Sequence, residues 1–311
     1  MPPGRQTHMK FNAVRNFIAV AERGSLRAAA RHLDIPQPAI TRSIHELEKE
    51  LGVPLFERSH KGVQLTPMGQ TFLRRANAAC NELQLAKEEI GQLRGQAHGT
   101  VTICLSSVPH LALLPEALRP FRARFPGVAL RIIDAVFPHV EASLKDGTID
   151  CYIGPLPAQV PVELHSEKLF DNTRIILGRK GHPLARARSL RELVDAEWIT
   201  TSITHKAEEE LGPLFAKHGL PAPRLVMRAQ SSLTFLVSMA YSDLLMMMPV
   251  QWVQIPLWKD VLEPIYVRES LPAPPICLVQ RAGMPLTPAA DYFCTLIRRA
   301  GGRVHPQAPP H

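Results

Sequence analysis

The sequence predicts a mainly α winged helix-turn-helix, then one long helix, then an α/β domain in two lobes. Three patterns carry this expectation. Residues 11–51 hold short amphipathic helices joined by tight turns, the last with a polar outer face. Phe72, Ala76, Ala79, Leu83, Ala86, Ile90 and Leu93 recur at alternating spacings of four and three, a heptad stripe. From Thr100 onward, strand-like apolar runs alternate with helical ones, the mark of βαβ units and a mostly parallel sheet.

The first helix buries Phe11, Val14, Phe17, Ile18 and Ala21 and stops at Gly24. Ser25 caps the second, whose inward stripe is Leu26, Ala29, Ala30 and Leu33. The turn Asp34-Ile35-Pro36 leads to a third helix with two faces. At about 100° per residue, Ile40, Ile44, Leu47 and Leu51 share the apolar face, while Gln37, Thr41, Arg42 and His45 fall roughly opposite. The polar set matches base readout: arginine takes guanine bidentately or grips phosphate, and glutamine suits adenine. A solvated helix face is the plain alternative. Ser25 and Arg27 open the preceding helix, where backbone N–H groups and a cation meet phosphate. Residues 55–66 read as a hairpin, or wing, with Arg58, His60 and Lys61 near its tip and the two cations against phosphate or minor groove. Thr66 then caps a helix with Pro67 at its first position. One helix cannot bury a heptad stripe alone, so a second copy is implied, unless the helix packs on its own domain. Gly95 and Gly99 end it.

Strands are expected near residues 101–105, 128–133, 150–153, 173–177, 198–200, 224–228, 244–248 and 276–279. Helices are expected over 111–125, 138–146, 204–218, 231–241 and 288–300. Residues 161–167 and 264–270 look like extended crossovers between the lobes. The domains are placed at 9–66 (winged helix-turn-helix), 67–98 (dimerising helix) and 99–301, with lobe I about 99–161 and 270–301 and lobe II about 162–269. Residues 1–8 and the Pro- and Gly-rich tail after Gly301 are expected to lack structure.

Net charge is +8, and residues 1–99 carry 14 Lys and Arg against 9 Asp and Glu. The excess favours a polyanionic partner, and the first third is the more basic per residue. The five cysteines are widely spaced without a CxxC, so neither a disulfide framework nor a zinc site is expected. Cys104 and Cys151 lie in apolar runs and read as core. Neither a metal nor a cofactor is expected. No signal peptide opens the chain and no apolar run is long enough to span a membrane, so a cytoplasmic location is expected.

The ordered pattern Gln37-Pro38-Ala39-Ile40-Thr41 through Leu47-Glu48, Leu51-Gly52-Val53-Pro54-Leu55-Phe56-Glu57-Arg58 and Leu65-Thr66-Pro67-Met68-Gly69 resembles the LysR-type transcriptional regulators. The likeness extends from about Met9 to Ala300. Residues 88–95, 242–245 and 285–290 resemble the branch that contains the regulator of toluenesulfonate degradation. The resemblance implies a periplasmic-binding-protein-like effector domain, an inverted-repeat DNA operator, homodimers assembling to a homotetramer, and action through RNA polymerase. It adds Pro38 to the DNA-binding set. Where the family commonly has Ser before Gln-Pro, this chain has Pro36; the missing cap costs about 1 kcal/mol, partly offset by proline's rigidity.

In such a domain a ligand sits between lobes, at strand C-termini and helix N-termini. The expected residues are Ser106, Ser107, Val108, Phe137, Thr201, Ser202, Thr204 and Ser231, the hydroxyls and free N–H groups favouring an organic anion without a fixed cation. Simple helix capping is the alternative for each Ser and Thr. Members sensing muconate or benzoate carry an Arg where this chain has Pro155, so a carboxylate held by an arginine there is not expected. Met246–Met248 reads as sheet core more readily than as ligand contact. No cysteine lies between Asn172 and Tyr266, which argues against a two-cysteine peroxide switch. GxSxG, GxGxxG, Walker and HExxH motifs are absent, so an enzyme is not expected. The rivals are a solute-binding protein with a helical extension, which wants a signal peptide, and an architectural DNA binder without a ligand.

Overall fold

The computed structural model describes residues 9–304 except 60–61, 97, 138, 157–158, 202–206, 230 and 255. The chain divides into two compact units, residues 1–90 with 145–148, and the remainder.

The first unit runs α1 (Phe11–Arg23), α2 (Leu26–Leu33), α3 (Gln37–Leu51), β1 (Phe56–Ser59), β2 (Gly62–Leu65) and α4 (Pro67–Leu93). Of the predicted inward residues, Val14, Phe17, Ala29, Ala30, Ile40, Ile44 and Leu47 are buried together, and Ala19, Val20, Leu55 and Ala76, which the pattern does not place there, join them. Phe17 sits at the centre, its ring 5.0 Å from those of both Phe56 and Phe72. Phe11, placed inward by the pattern, is exposed instead, because the first residue of α1 overhangs the core. Ser25 accepts from the Ala28 amide at 3.4 Å and caps α2. Asp34, in the left-handed region at φ 53°, turns the chain toward α3. Pro36 precedes α3 without a side-chain cap. β1 and β2 pair antiparallel from Phe56↔Leu65 to Ser59↔Gly62, the predicted wing. Its tip, residues 60–61, lies outside the described residues. Thr66 Oγ1 accepts from the Gly69 amide at 3.0 Å, capping α4 as expected.

The second unit holds two five-stranded sheets. The first has the order β4 (Val128–Asp134), β3 (Gly99–Leu105), β5 (Cys151–Pro155), β12 (Ile276–Arg281), β6 (Leu164–Phe170). The second has the order β11 (Leu262–Ile265), β7 (Arg174–Arg179), β10 (Leu244–Pro249), β8 (Glu197–Thr201), β9 (Arg224–Ala229). In each, three neighbouring strands pair in parallel, and one strand, β12 in the first sheet and β7 in the second, pairs antiparallel with both its neighbours, so two of the four pairings are parallel and two antiparallel. The sheets are thus mixed rather than mostly parallel. β6 and β11 were expected only as extended crossovers. Both are edge strands, and a strand solvated on one side lacks a continuous apolar run. Because β6 pairs with β12, the first lobe keeps the chain through Phe170, later than the expected crossing near residue 161.

The helices are α5 (Ser107–Ala112), α6 (Leu114–Arg124), α7 (Glu141–Lys145), α8 (Ala207–Lys217), α9 (Ser232–Ala240) and α10 (Pro288–Gly301). The single helix expected over 111–125 is broken at Leu113, because Pro115 restricts Leu114 and lacks an amide hydrogen. α6 and α10 cover one face of the first sheet around Phe121 and Phe293, whose rings are 5.6 Å apart. Phe137, Val140, Leu144 and Tyr152 fill the opposite face. Phe235, Met239 and Trp252 cover one face of the second sheet, and Trp198, Leu190 and Phe215 the other. Leu111 of α5 packs against the second lobe's Trp252-containing cluster, so the two lobes meet there.

Candidate nucleic-acid interface and ligand site

α3 has the expected division. Ile40, Ile44 and Leu47 are buried, while Gln37, Pro38, Thr41, Arg42 and His45 are all exposed. The helix is held against α1 by Asn16, whose Nδ2 donates to Ser43 Oγ at 3.0 Å. Two of the reading residues already have protein partners. Thr41 Oγ1 donates to Gln37 O at 3.1 Å, and Arg42 Nε donates to Glu46 Oε1 at 2.9 Å. The Arg42 hydrogen bond holds the Glu46 carboxyl below its ordinary range, so the pair is fully charged near neutrality. Residues four apart on a helix face each other, so the spacing carried a signal for this pair that base-reading logic passed over.

Arg27 is exposed on the first turn of α2, beside the capping Ser25. Arg58 stands opposite Val63 in the wing ladder. Lys61 lies outside the described residues. Glu48, one turn before the end of α3, is a residue the sequence did not single out for a role; its Oε1 accepts from the amides of Leu55 and Phe56 at 2.8 and 3.1 Å.

On α4 the stripe divides. Phe72 and Ala76 complete the helix-turn-helix core, whereas Leu83, Ile90 and Leu93 are 55%, 59% and 73% exposed. Ala79 and Ala86 are also exposed.

In the second unit Ser106 follows β3 and precedes α5. Its amide donates to Ile153 O at 2.9 Å. Its side chain is buried, yet Oγ has no hydrogen-bond partner among the described residues and does not cap the helix. Close by, Tyr152 Oη donates to Pro155 O at 3.0 Å, and Gly154 keeps space that a Cβ would take from Tyr152 Oη and Ser106 Oγ. Ser107 is half-buried. The Val108 side chain points into the α6–α10 core, and Phe137 packs edge-on to Tyr152, 5.7 Å away. Both are apolar side chains, and burial within a lobe outweighs exposure at a cleft. Ser231 is exposed and precedes α9 without a side-chain cap. Thr201 ends β8; Ser202 and Thr204 lie outside the described residues. Met246 and Met248 are sheet core, as the residues suggested.

A winged helix-turn-helix, a long helix and a two-lobed α/β domain are the architecture of a DNA-binding module joined to a ligand-binding one, and a fold alone does not assign the function. The comparisons give the family. Residues 11–70 match the bacterial regulatory helix-turn-helix proteins of the lysR family, and residues 94–302 match the LysR substrate binding domain. The chain belongs to the LysR family of transcriptional regulators. It is 27% identical to the HTH-type transcriptional regulator GalR of Pseudomonas putida KT2440 over 285 residues, covering 91% of this chain and 72% of that protein. It is 38% identical to the regulator ClcR of Pseudomonas putida over 195 residues, 60% of this chain and 62% of that one. Its fold matches full-length CbnR complexed with target DNA at a TM-score of 0.68 and 23% identity, covering 94% of this chain and 99% of that one. These relatives are transcriptional regulators rather than enzymes.

Proposed function

We propose that a small organic anion, bound between the two lobes, changes operator binding or promoter activation by this regulator. The observation that carries the reading is the buried Ser106 Oγ, unpartnered among the described residues, at a strand-to-helix turn of the first lobe. Ser231 precedes α9 in the second lobe without capping it. Helix starts of this kind bind anions through free N–H groups without needing a cation. Gln37, Thr41, Arg42 and His45 read an inverted-repeat operator in the major groove, while Ser25, Arg27, Arg58 and Lys61 meet phosphate, and Pro38 lies alongside them. The exposed stripe of α4 supports dimerisation through residues 67–98, and two dimers assemble as a tetramer that contacts RNA polymerase. Binding the chromosome of a bacterium puts the protein in the cytoplasm.

The test is a thermal-shift screen of the full chain against aromatic and aliphatic carboxylates and sulfonates. A ligand at 100 times its Kd adds about 2.7 kcal/mol, and a true effector also changes operator affinity. If hits leave operator binding and promoter output unchanged, the reading fails.

A further inference from the structure

We propose that Glu48 is a positioning residue for DNA binding, fixing the wing to the recognition helix. One carboxylate oxygen takes both the Leu55 and Phe56 amides, at 2.8 and 3.1 Å. Leu55 is 1% exposed, so its amide has no water to turn to if Glu48 is lost. Phe56 begins β1 and packs on Phe17, so these two amides set where the wing leaves the core.

Two other anchors hold the same root from different sides. Thr66 N donates to Leu55 O at 3.0 Å, and Thr66 Oγ1 donates to Pro54 O at 2.8 Å. α4 comes so close that a Cβ on Gly69 would lie 2.0 Å from Leu55 O, which glycine alone permits. On the far strand, Val63 N donates to Gly24 O at 3.1 Å, tying β2 to the α1–α2 turn. These anchors join the wing to α4 and to α1–α2. Glu48 joins it to α3, the helix that carries Gln37, Thr41, Arg42 and His45. Release of Glu48 therefore lets the wing pivot against the reading face while the core stays packed. A protein that reads bases with a helix and grips phosphate with a wing needs both in one register on the duplex.

The proposal rests on the wing meeting phosphate, as in the reading above. The test measures operator and random-DNA affinity across a salt series for the full chain. Each lost phosphate contact lowers the slope of log K against log salt by about 0.9, and a dimer has two wings. Glu48→Ala is expected to bind operator at least about tenfold more weakly, with a slope smaller by about two if each wing loses one of its two cation contacts and by about 3.6 if it loses both, and with an unchanged circular dichroism spectrum. Glu48→Gln keeps an acceptor oxygen and should restore the wild-type slope. Glu48→Asp, which is too short to reach both amides, should behave like Glu48→Ala and serves if the alanine variant fails to fold. A merely structural role lowers the folded fraction, and so the affinity at every salt, without moving the slope. A wild-type slope in Glu48→Asp, or a loss in Glu48→Gln equal to that in Glu48→Ala, overturns the proposal. The variant Arg58→Ala with Lys61→Ala separates the two ideas. If it keeps the wild-type slope, the wing reading itself is wrong; if it lowers the slope and the Glu48 variants do not, only the role of Glu48 is wrong.

Discussion

Replacing Arg42 by alanine tests the proposed reading surface at an exposed cation. The side chain is 83% exposed, and Glu46, its partner among the described residues, is 52% exposed. Its loss removes a solvent-screened pair, so the thermal midpoint should stay at the wild-type value. Binding is another matter. A bidentate arginine–guanine contact discriminates by about 1–3 kcal/mol, and a symmetric dimer carries the residue in both half-sites. Operator affinity should therefore fall by about 2–6 kcal/mol per dimer, on the order of thirtyfold or more. Affinity for random DNA should fall far less. The assay is fluorescence anisotropy on a duplex selected from a random pool, against a scrambled duplex, at one fixed salt concentration. Glu46 does not blur the result. Arg42 depresses its pKa, so its stabilising contribution is present above the unfolded value of 4.5 and is lost only as pH falls through the lower folded value. Measurements between about pH 6 and 8 sit clear of that window. An equal loss on both duplexes would make Arg42 a phosphate contact, and an intact operator preference would remove α3 from the role assigned to it.

Two further outcomes are expected. Leu83→Asp combined with Ile90→Asp puts charge on the exposed α4 stripe; burying each apolar side chain against a partner is worth about 1.5–3 kcal/mol, so sedimentation should show the dimer dissociating, and an unchanged mass would place the interface elsewhere. Burial pushes the Cys104 thiol up to about 12, and contact with Cys294 together with burial holds Cys151 well above its usual range; the native protein at about pH 8 should thus react slowly with a thiol reagent and only at half-buried Cys80, the remaining thiols appearing on unfolding. Because the Cys104 value is raised, its contribution is complete below 9.0 and is lost as pH rises toward about 12, so chemical denaturation should find lower stability in that alkaline range.

Periodicity made the buried side of the helix-turn-helix legible, since Ile40, Ile44 and Leu47 report a face directly. The same logic found the α4 stripe, although its first members, Phe72 and Ala76, belong to the local core and only the later ones await a partner. Edge strands β6 and β11 were less legible: exposed polar positions interrupt β6, and β11 is only four residues long with Pro264 inside it. Val108 and Phe137 show the limit for site residues. Their positions after a strand and before a helix fit a ligand site, but direction of the side chain decides, and both point into a lobe. Glu48 stands in the family pattern, but its contact was not legible, for another reason. Its partners are backbone amides seven and eight residues away, and a contact with main chain leaves no mark on side-chain pattern.

The polar pins of the first unit bear on how regulation can work. The reading helix is tied to α1 by Asn16, to the wing by Glu48, and the wing to α4 by Thr66. A surface held from three sides is a poor candidate for reshaping by a ligand bound elsewhere. In the proposed dimer, the adjustable quantity is then the spacing of one such surface relative to its copy. A ligand shifts that equilibrium only by its differential affinity for the two arrangements. On the proposed reading, Ser106 supplies a physical source for the difference: a buried hydroxyl without a partner among the described residues costs about 1–3 kcal/mol, and the proposed effector would recover this by meeting it in one lobe arrangement and not the other. That range corresponds to a shift of about fivefold to 150-fold, within the span of ordinary allosteric couplings, so the proposed effector needs no reshaping of the DNA-reading helix to act.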